Sequence, residues 1–206
     1  MEKDVRQAEA TGAPKAAAPF AAAGAPDYPL LARSLASLAE GEPHWLPTLA
    51  NASALLWERL PRLNWAGFYL IDDRGDLLLV PFQGILACVR IKLGSGVCGT
   101  AAAEDRTLRV PDVHRFAGHI ACDAASNSEI VVPLHDGAGA VVGVLDLDSP
   151  ILDRFSPDDQ AGLELFCRTL ERCCRLSSLP RASGADVLAP AGARSASRHR
   201  RTTGAH

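Results

Sequence analysis

The sequence predicts a single domain of the α+β class, and two patterns support this prediction. Apolar residues recur at helical spacing near both ends of the central region, whereas the segments between them alternate with the period of a strand. Short turns of the hairpin type join most of these segments, and no crossover helices alternate with the strands. Hairpin-connected strands flanked by an N-terminal and a C-terminal helical region indicate a mostly antiparallel central sheet.

Composition divides the 206-residue chain into three parts. Residues 1–27 are rich in Ala and Pro, and residues 177–206 are rich in Ser, Ala and Arg, so both are predicted to be disordered tails. Residues 28–176 contain the periodic segments and form the predicted domain. Acidic residues among the first basic ones argue against a secretory signal peptide. Six cysteines without such a signal favour free thiols and a cytoplasmic protein.

The first predicted elements are two helices and a hairpin. One helix begins near Tyr28, and a second, broken by a proline, runs from about Trp45 to Leu60. Residues 64–71 alternate as a strand, residues 72–75 form a turn, and residues 76–82 form the partner strand.

The remaining elements follow in order: a strand at 86–92, a short helix at 97–104, a strand at 107–110, a long loop at 111–128, strands at 129–134 and 140–148, and a last helix. Ser156 caps that helix and Pro157 takes its first position. Cys167 and Cys174 fall on its predicted core face.

Charge and hydropathy exclude some partners. The net charge is −3, and no apolar run approaches the roughly 20 residues that a membrane span needs. The basic run at residues 198–201 is expected to be a solvated tail. We therefore expect neither a nucleic-acid nor a membrane partner.

Three cysteines lie in three different kinds of local sequence. Cys88 is in an apolar strand-like run, Cys98 is in a Gly-rich turn, and Cys122 is in a polar loop. Such settings suit thiol redox chemistry, in which a thiolate attacks and a second thiol resolves the product. Cys98 is predicted to lie at a helix N-terminus, where the helix dipole favours the thiolate.

The Gly-rich turn also fits a nucleotide-binding pattern. Residues 94–99 match G-x-G-x-x-G, but the neighbouring strands form hairpins where a dinucleotide fold needs a βαβ unit. A tight turn before a short helix explains the pattern better, so no cofactor is predicted. No C-x-x-C or H-x-x-x-H spacing is present, so no metal is predicted.

Two carboxylates mark a candidate pocket. Asp146 and Asp148 are two residues apart in an apolar strand, so both lie on one face. Glu129 opens the preceding strand and joins them if the two strands pair. Three such acids would suit a ligand ammonium, with one acid protonated, although a solvent-facing strand side is the alternative. Trp65 and Tyr69 share a strand face and form either core or a pocket wall.

Six segments of the chain match a known family; they are Asn64–Tyr69, Pro81–Gly84, Ala87–Ile91, Gly96–Thr100, Gly118–Ile130 and Gly143–Ser149. Together they resemble the free methionine-(R)-sulfoxide reductases, which are GAF-domain enzymes. The resemblance covers roughly Tyr28 to Leu176. It implies a GAF-type domain that reduces free L-methionine-(R)-sulfoxide through a cysteine sulfenic acid and an intramolecular disulfide. Thioredoxin is the implied reductant.

The resemblance also implies a role for each of the three thiols. It implies that Cys122 attacks the sulfoxide sulfur and that Cys88 and Cys98 are resolving thiols, with Cys98 as the alternative nucleophile. Relatives often carry basic residues where this chain has Ile85 and Ser95. Their loss removes positive charge near Cys88 and Cys98 and so disfavours ionisation of both thiols.

By the same resemblance, the pocket acids are Glu129, Asp146 and Asp148, and the aromatic walls are Trp65 and Tyr69. A non-catalytic GAF sensor that binds a small ligand is the rival interpretation, but it leaves the three thiols unexplained. The choice between a monomer and a homodimer stays open.

Overall fold

The computed structural model describes residues 25–42, 44–118 and 125–177. Cys122 and nearly all of the two predicted tails lie outside the described residues, so the predictions made for them remain predictions. No helix among the described residues is long and apolar enough to cross a membrane.

Four α-helices and six strands form the described part of the domain. The helices are α1 (Tyr28–Leu38), α2 (Trp45–Arg59), α3 (Gly96–Glu104) and α4 (Pro157–Cys173), with a short 3₁₀ helix at Val113–Arg115. The strands are β1 (Trp65–Ile71), β2 (Asp76–Gly84), β3 (Arg90–Lys92), β4 (Leu108–Val110), β5 (Ser128–His135) and β6 (Val141–Ser149). They form one sheet in the order β3-β2-β1-β6-β5-β4, and every adjacent pair is antiparallel. The predicted α+β class is confirmed.

The alternation of β1 divides the domain into two cores. Phe68 and its neighbours on the same face pack with α1, α2 and α4 in the larger apolar cluster. Trp65 and Tyr69 point to the opposite face, where they pack with Val97 and other residues of α3. Because successive residues of a strand face opposite ways, the sequence pattern itself separates the two layers. The candidate site lies in the smaller cluster, under α3.

The N-terminus of the last helix is capped by Ser156, as predicted. The Ser156 hydroxyl accepts the backbone N–H of Asp159, while the Asp159 carboxylate accepts the backbone N–H of Ser156, which completes a capping box. Tyr28 donates a hydrogen bond to Asp159, and Arg154 donates another at 3.1 Å. This buried network joins α1 to α4, so the two terminal helices are held together on one side of the sheet.

Two predicted elements differ from the structure. The second helix is continuous, because Pro47 lies in its first turn, where backbone N–H groups have no partner within the helix. The third strand was predicted over residues 86–92 but spans only Arg90–Lys92. Leu86 and Val89 are 87% and 66% exposed, so the preceding segment lies outside the sheet core despite its apolar sequence.

Candidate active site

Strand register brings the predicted acids and an aromatic residue into one row. On β5 and β6, Glu129 lies opposite Asp148, and on β1 and β6, Trp65 lies opposite Asp148. Directly opposed residues of antiparallel strands point to the same face, so these three side chains share the α3 side of the sheet. Asp146 lies on the same face and opposite Gly67 of β1. The pairing on which the sequence prediction depended is therefore present.

Cys98, Glu129 and Asp146 form a buried group that we call the thiol–acid cluster. Cys98 projects from the first turn of α3, and its S–H donates to Glu129 Oε1 at 3.8 Å. One potential ligand atom from each of the three residues lies within 4.8 Å of the other two. Their exposed fractions are only 4%, 5% and 6%. The sheet and α3 thus enclose two carboxyls and a thiol together.

The carboxyls of this cluster hold protons more tightly than ordinary carboxyls. Burial, followed by repulsion from Asp146 and Asp148, raises the pKa of Glu129 well above its usual range. Burial also raises the pKa of Asp146 to about 7, although hydrogen bonds from Cys98 and Glu129 act to lower it. At least one of these acids is therefore protonated near neutral pH and can donate a proton.

The prediction that the helix dipole would favour the Cys98 thiolate is wrong. Burial is the largest cause that raises the pKa of Cys98, and Asp146 and Glu129 add repulsion. A thiolate beside two carboxyls would place like charges together in a medium that solvates them poorly. Cys98 is therefore a thiol in this arrangement.

Three aromatic rings wall the thiol–acid cluster. Trp65 stacks on Tyr69 with ring centroids 5.8 Å apart, and on Phe82 at 5.4 Å. Gly67 makes this possible, since a Cβ there would lie 2.3 Å from the Phe82 Cβ and 2.7 Å from the Trp65 ring. The Tyr69 hydroxyl donates to the Cys88 carbonyl at 3.0 Å, which ties the wall to the segment that carries Cys88. Sequence reasoning missed Phe82.

Two buried polar atoms of this region have no hydrogen-bond partner among the described residues. The indole Nε1 of Trp65 and the Oδ1 of Asp146 are both buried and both unsatisfied within the structure. Trp65 is 2% exposed, so its donor has little access to water. Such groups carry a free-energy cost of about 1–3 kcal/mol when left unpaired. A ligand that supplies one acceptor and one donor would remove both costs.

A family model described as the GAF domain matches residues 35–173. The free methionine-R-sulfoxide reductase of Escherichia coli K12 is 54% identical over 145 residues, which cover 70% of this chain and 87% of that protein. The chain belongs to the free methionine-R-sulfoxide reductases, a GAF-domain family.

Solved structures of this family share the fold. The fRMsr of Staphylococcus aureus in complex with substrate is 49% identical, with a TM-score of 0.69 over 73% of this chain and 97% of that one. The free methionine-R-sulfoxide reductase of Neisseria meningitidis in complex with its substrate is 44% identical, with a TM-score of 0.68 over 71% of this chain and 87% of that one.

The cysteines of this family member differ in state. Cys88 is disulfide-bonded and half-buried, whereas Cys98, Cys167 and Cys174 are free and buried. The core positions predicted for Cys167 and Cys174 are confirmed. Cys122, the predicted nucleophile, lies outside the described residues. The structure therefore separates a cysteine that forms a disulfide, Cys88, from one held as a thiol among acids, Cys98.

Asp148 completes the predicted acid set at the margin of the cluster. It is half-buried, and its charge raises the pKa values of Glu129 and Cys98. A solvent-facing strand side, the alternative for these acids, does not describe Asp146 or Glu129, which are both buried. The two aromatic residues are also buried, so Trp65 and Tyr69 serve both as core and as the wall beside the acids.

Proposed function

We propose that this protein reduces free methionine-(R)-sulfoxide to methionine through its cysteines and is recycled by thioredoxin. One observation carries the proposal: a buried carboxyl pair with raised pKa values lies beside a thiol and three aromatic rings. Sulfoxide reduction needs a proton donor near the oxygen and an enclosed thiol site. The family to which the chain belongs includes relatives named for this activity.

The acids account for selection of a free amino acid. Burial raises the pKa values of Glu129 and Asp146 because it disfavours their negative charges, and a bound cation would offset that cost. The ammonium of free methionine sulfoxide supplies that cation, and peptide-bonded methionine lacks it. Within residues 25–42, 44–118 and 125–177, Asp146 Oδ1 has no donor and Trp65 Nε1 has no acceptor. A ligand with both an ammonium and oxygen acceptors satisfies the two atoms at once.

The first chemical step forms a sulfenic acid. The Cys122 thiolate attacks the sulfoxide sulfur, while a protonated carboxyl of the thiol–acid cluster donates its proton to the sulfoxide oxygen. The S–O bond breaks, the oxygen is transferred to Cys122, and methionine leaves with its sulfur reduced by two electrons. Cys98 suits this nucleophilic role less well, because burial and neighbouring acids favour its thiol form.

The second step closes a disulfide. The Cys88 thiol condenses with the sulfenic acid, which releases water and leaves a Cys88–Cys122 disulfide. The disulfide-bonded state of Cys88 supports its role as the first resolving thiol. Thioredoxin then reduces the disulfide by thiol–disulfide exchange, which restores both thiols. The exposed side chains of Leu86 and Val89 flank Cys88 and leave room for an external dithiol to approach.

A single-turnover experiment tests the assignment of the thiols. Fully reduced protein is mixed with free methionine-(R)-sulfoxide without a reductant, and released methionine is counted per chain. Cys122→Ser should release none, whereas Cys88→Ser should release about one equivalent and then fail to turn over with thioredoxin. Cys173→Ser, at a half-buried position outside the site, is the matched control and should behave as wild type.

Three outcomes would overturn parts of the proposal. Full methionine release by Cys122→Ser would transfer the nucleophilic role to Cys98. Binding of methionine sulfoxide without any release by the wild-type protein would favour the small-ligand sensor. Equal turnover of N-acetyl-methionine sulfoxide and the free amino acid would show that the acids do not bind the substrate ammonium.

A further inference from the structure

We propose that the thiol–acid cluster is also a binding site for a soft divalent cation, represented by Zn²⁺, which excludes the substrate. Cys98 Sγ and one oxygen each from Glu129 and Asp146 would be the protein ligands. The site differs from the zinc arrangement that sequence spacing argued against, because its ligands come from three separate elements. These are α3, β5 and β6.

The ligand atoms already lie close to a zinc geometry. Zinc binds sulfur at about 2.3 Å and carboxylate oxygen at about 2.0–2.2 Å, so tetrahedral ligation places sulfur and oxygen about 3.5 Å apart. The Cys98 Sγ to Glu129 Oε1 separation is 3.8 Å, and all three potential ligand atoms lie within 4.8 Å of one another. Side-chain movements of about 1 Å or less for most pairs, and at most about 1.3 Å, would complete the ligation, with water in the fourth position.

An independent observation points to a missing cationic or donor group. Asp146 is 6% exposed, and its Oδ1 has no hydrogen-bond partner within the part of the chain that the structure describes. A buried carboxylate oxygen without a partner is costly, and a bound cation removes that cost directly. The same cation would also relieve the repulsion between the two carboxyls and allow Cys98 to bind as a thiolate.

The donor set selects the kind of metal. Magnesium and calcium prefer six or more oxygen ligands, whereas a thiolate with two carboxylates favours a softer ion. Three protein ligands plus one open position is also an arrangement found in zinc sites. Zn²⁺ is therefore the ion that this cluster fits best.

Zinc in the cluster would occupy the position that we assign to the substrate ammonium. Inhibition of turnover is the expected consequence, and this consequence rests on the proposed function. Binding of the metal itself does not depend on that function, so the two can be tested separately.

The binding test uses the full chain with the Cys88 disulfide intact, so that Cys88 is not a zinc ligand. Isothermal titration with Zn²⁺ should show one equivalent bound, and Co²⁺ should give a thiolate-to-metal charge-transfer band in the near ultraviolet. Cys98→Ser should abolish the band, and Asp146→Asn should raise the Kd for Zn²⁺ by at least about tenfold. Cys173→Ser, which keeps all three ligands, should match the wild type.

The results separate the metal site from the enzyme activity. A charge-transfer band that persists in Cys98→Ser, or an unchanged Kd in both variants, would overturn the site. One-to-one binding that weakens as free methionine sulfoxide is added supports both the site and the shared position. One-to-one binding of Zn²⁺ that does not change when methionine sulfoxide is added would support the metal site. It would contradict the claim that the substrate ammonium binds at the same position.

Discussion

Replacing Asp146 by Asn should stabilise the ligand-free protein while it removes activity. Asp146 is buried, and its pKa is raised from 3.8 to about 7, so the folded protein binds this proton more tightly than the unfolded chain. The resulting contribution to stability is present at low pH and is lost as the pH rises from about 4 through about 7. Asparagine is neutral at every pH, so the stability of the variant does not fall in this way as the pH rises.

The structure sets the size of the effect. A pKa difference of about 3 units, at about 1.4 kcal/mol per unit, gives an upper bound of about 4 kcal/mol at pH 8. Glu129 shares the proton of the pair, so part of this free energy is recovered when Glu129 adjusts. We expect Asp146→Asn to gain about 1–3 kcal/mol at pH 8, or about 3–8 °C in Tm for a domain of this size.

The assay pairs thermal unfolding with kinetics. Tm is measured for both proteins at pH 4.5 and pH 8, and kcat/KM for free methionine-(R)-sulfoxide is measured at pH 7. The difference in Tm at pH 4.5 should be only about a quarter of that at pH 8, because the folded protein keeps Asp146 protonated there and only the unfolded chain is ionised. The kcat/KM should fall by at least about a hundredfold. An equal Tm at pH 8 together with wild-type kcat/KM would refute both the buried charge and the catalytic role.

Asp136→Asn is a control for which we expect the opposite change in Tm. The Asp136 carboxylate accepts the backbone N–H groups of Ala138 and Ala140, and these bonds lower its pKa. Its contribution to stability is therefore present above its unfolded pKa and is lost as the pH falls. Asp136→Asn should lower Tm at pH 8 and leave kcat/KM unchanged, so a shared rise in both variants would indicate a general effect of removing charge.

Three further changes test the fold, an ion bridge and the reductant. Gly67→Ala should lower the free energy of unfolding by about 1–3 kcal/mol in chemical denaturation, because the added Cβ would lie 2.3 Å from the Phe82 Cβ and 2.7 Å from the Trp65 ring. Gly137→Ala, with open space around the added Cβ, should leave it almost unchanged. Hydrogen bonds to Asp105 and Glu171 raise the pKa of His135 despite its partial burial, so its charged form stabilises the folded protein at low pH. His135→Gln should therefore lower Tm below pH 6. In a series of Tm measurements, the difference from the wild type should shrink as the pH rises through the raised pKa. Leu86→Asp should raise the KM for thioredoxin several-fold without changing turnover driven by dithiothreitol; an equal change in both would mean that Leu86 does not contact the reductant.

Much of the site could be predicted because its determinants are local or follow from strand pairing. The two-residue spacing of Asp146 and Asp148 fixed their common face, and the pairing of β5 with β6 then added Glu129. Phe82 could not be placed in this way. The register of β1 with β2 shifts between Gly67 and Tyr69, so that Phe82 lies opposite Gly67. Without that bulge, Pro81 would lie opposite Gly67. A bulge near a proline that lacks a backbone donor is a feature of the folded pair, and alternation alone does not locate it.

Cys98 shows why a correct local prediction gave the wrong chemistry. The thiol does lie in the first turn of α3, but a helix dipole contributes only about 0.3–1 kcal/mol, which is less than one pKa unit. Burial is the largest cause that opposes the thiolate, and a carboxylate about 4 Å away adds a repulsion of about 4 kcal/mol at an effective dielectric constant near 20. The tertiary contacts with Glu129 and Asp146 therefore outweigh the helix. A cation that enters the cluster would offset the charge of these acids, so we expect such a cation to favour the thiolate form of Cys98.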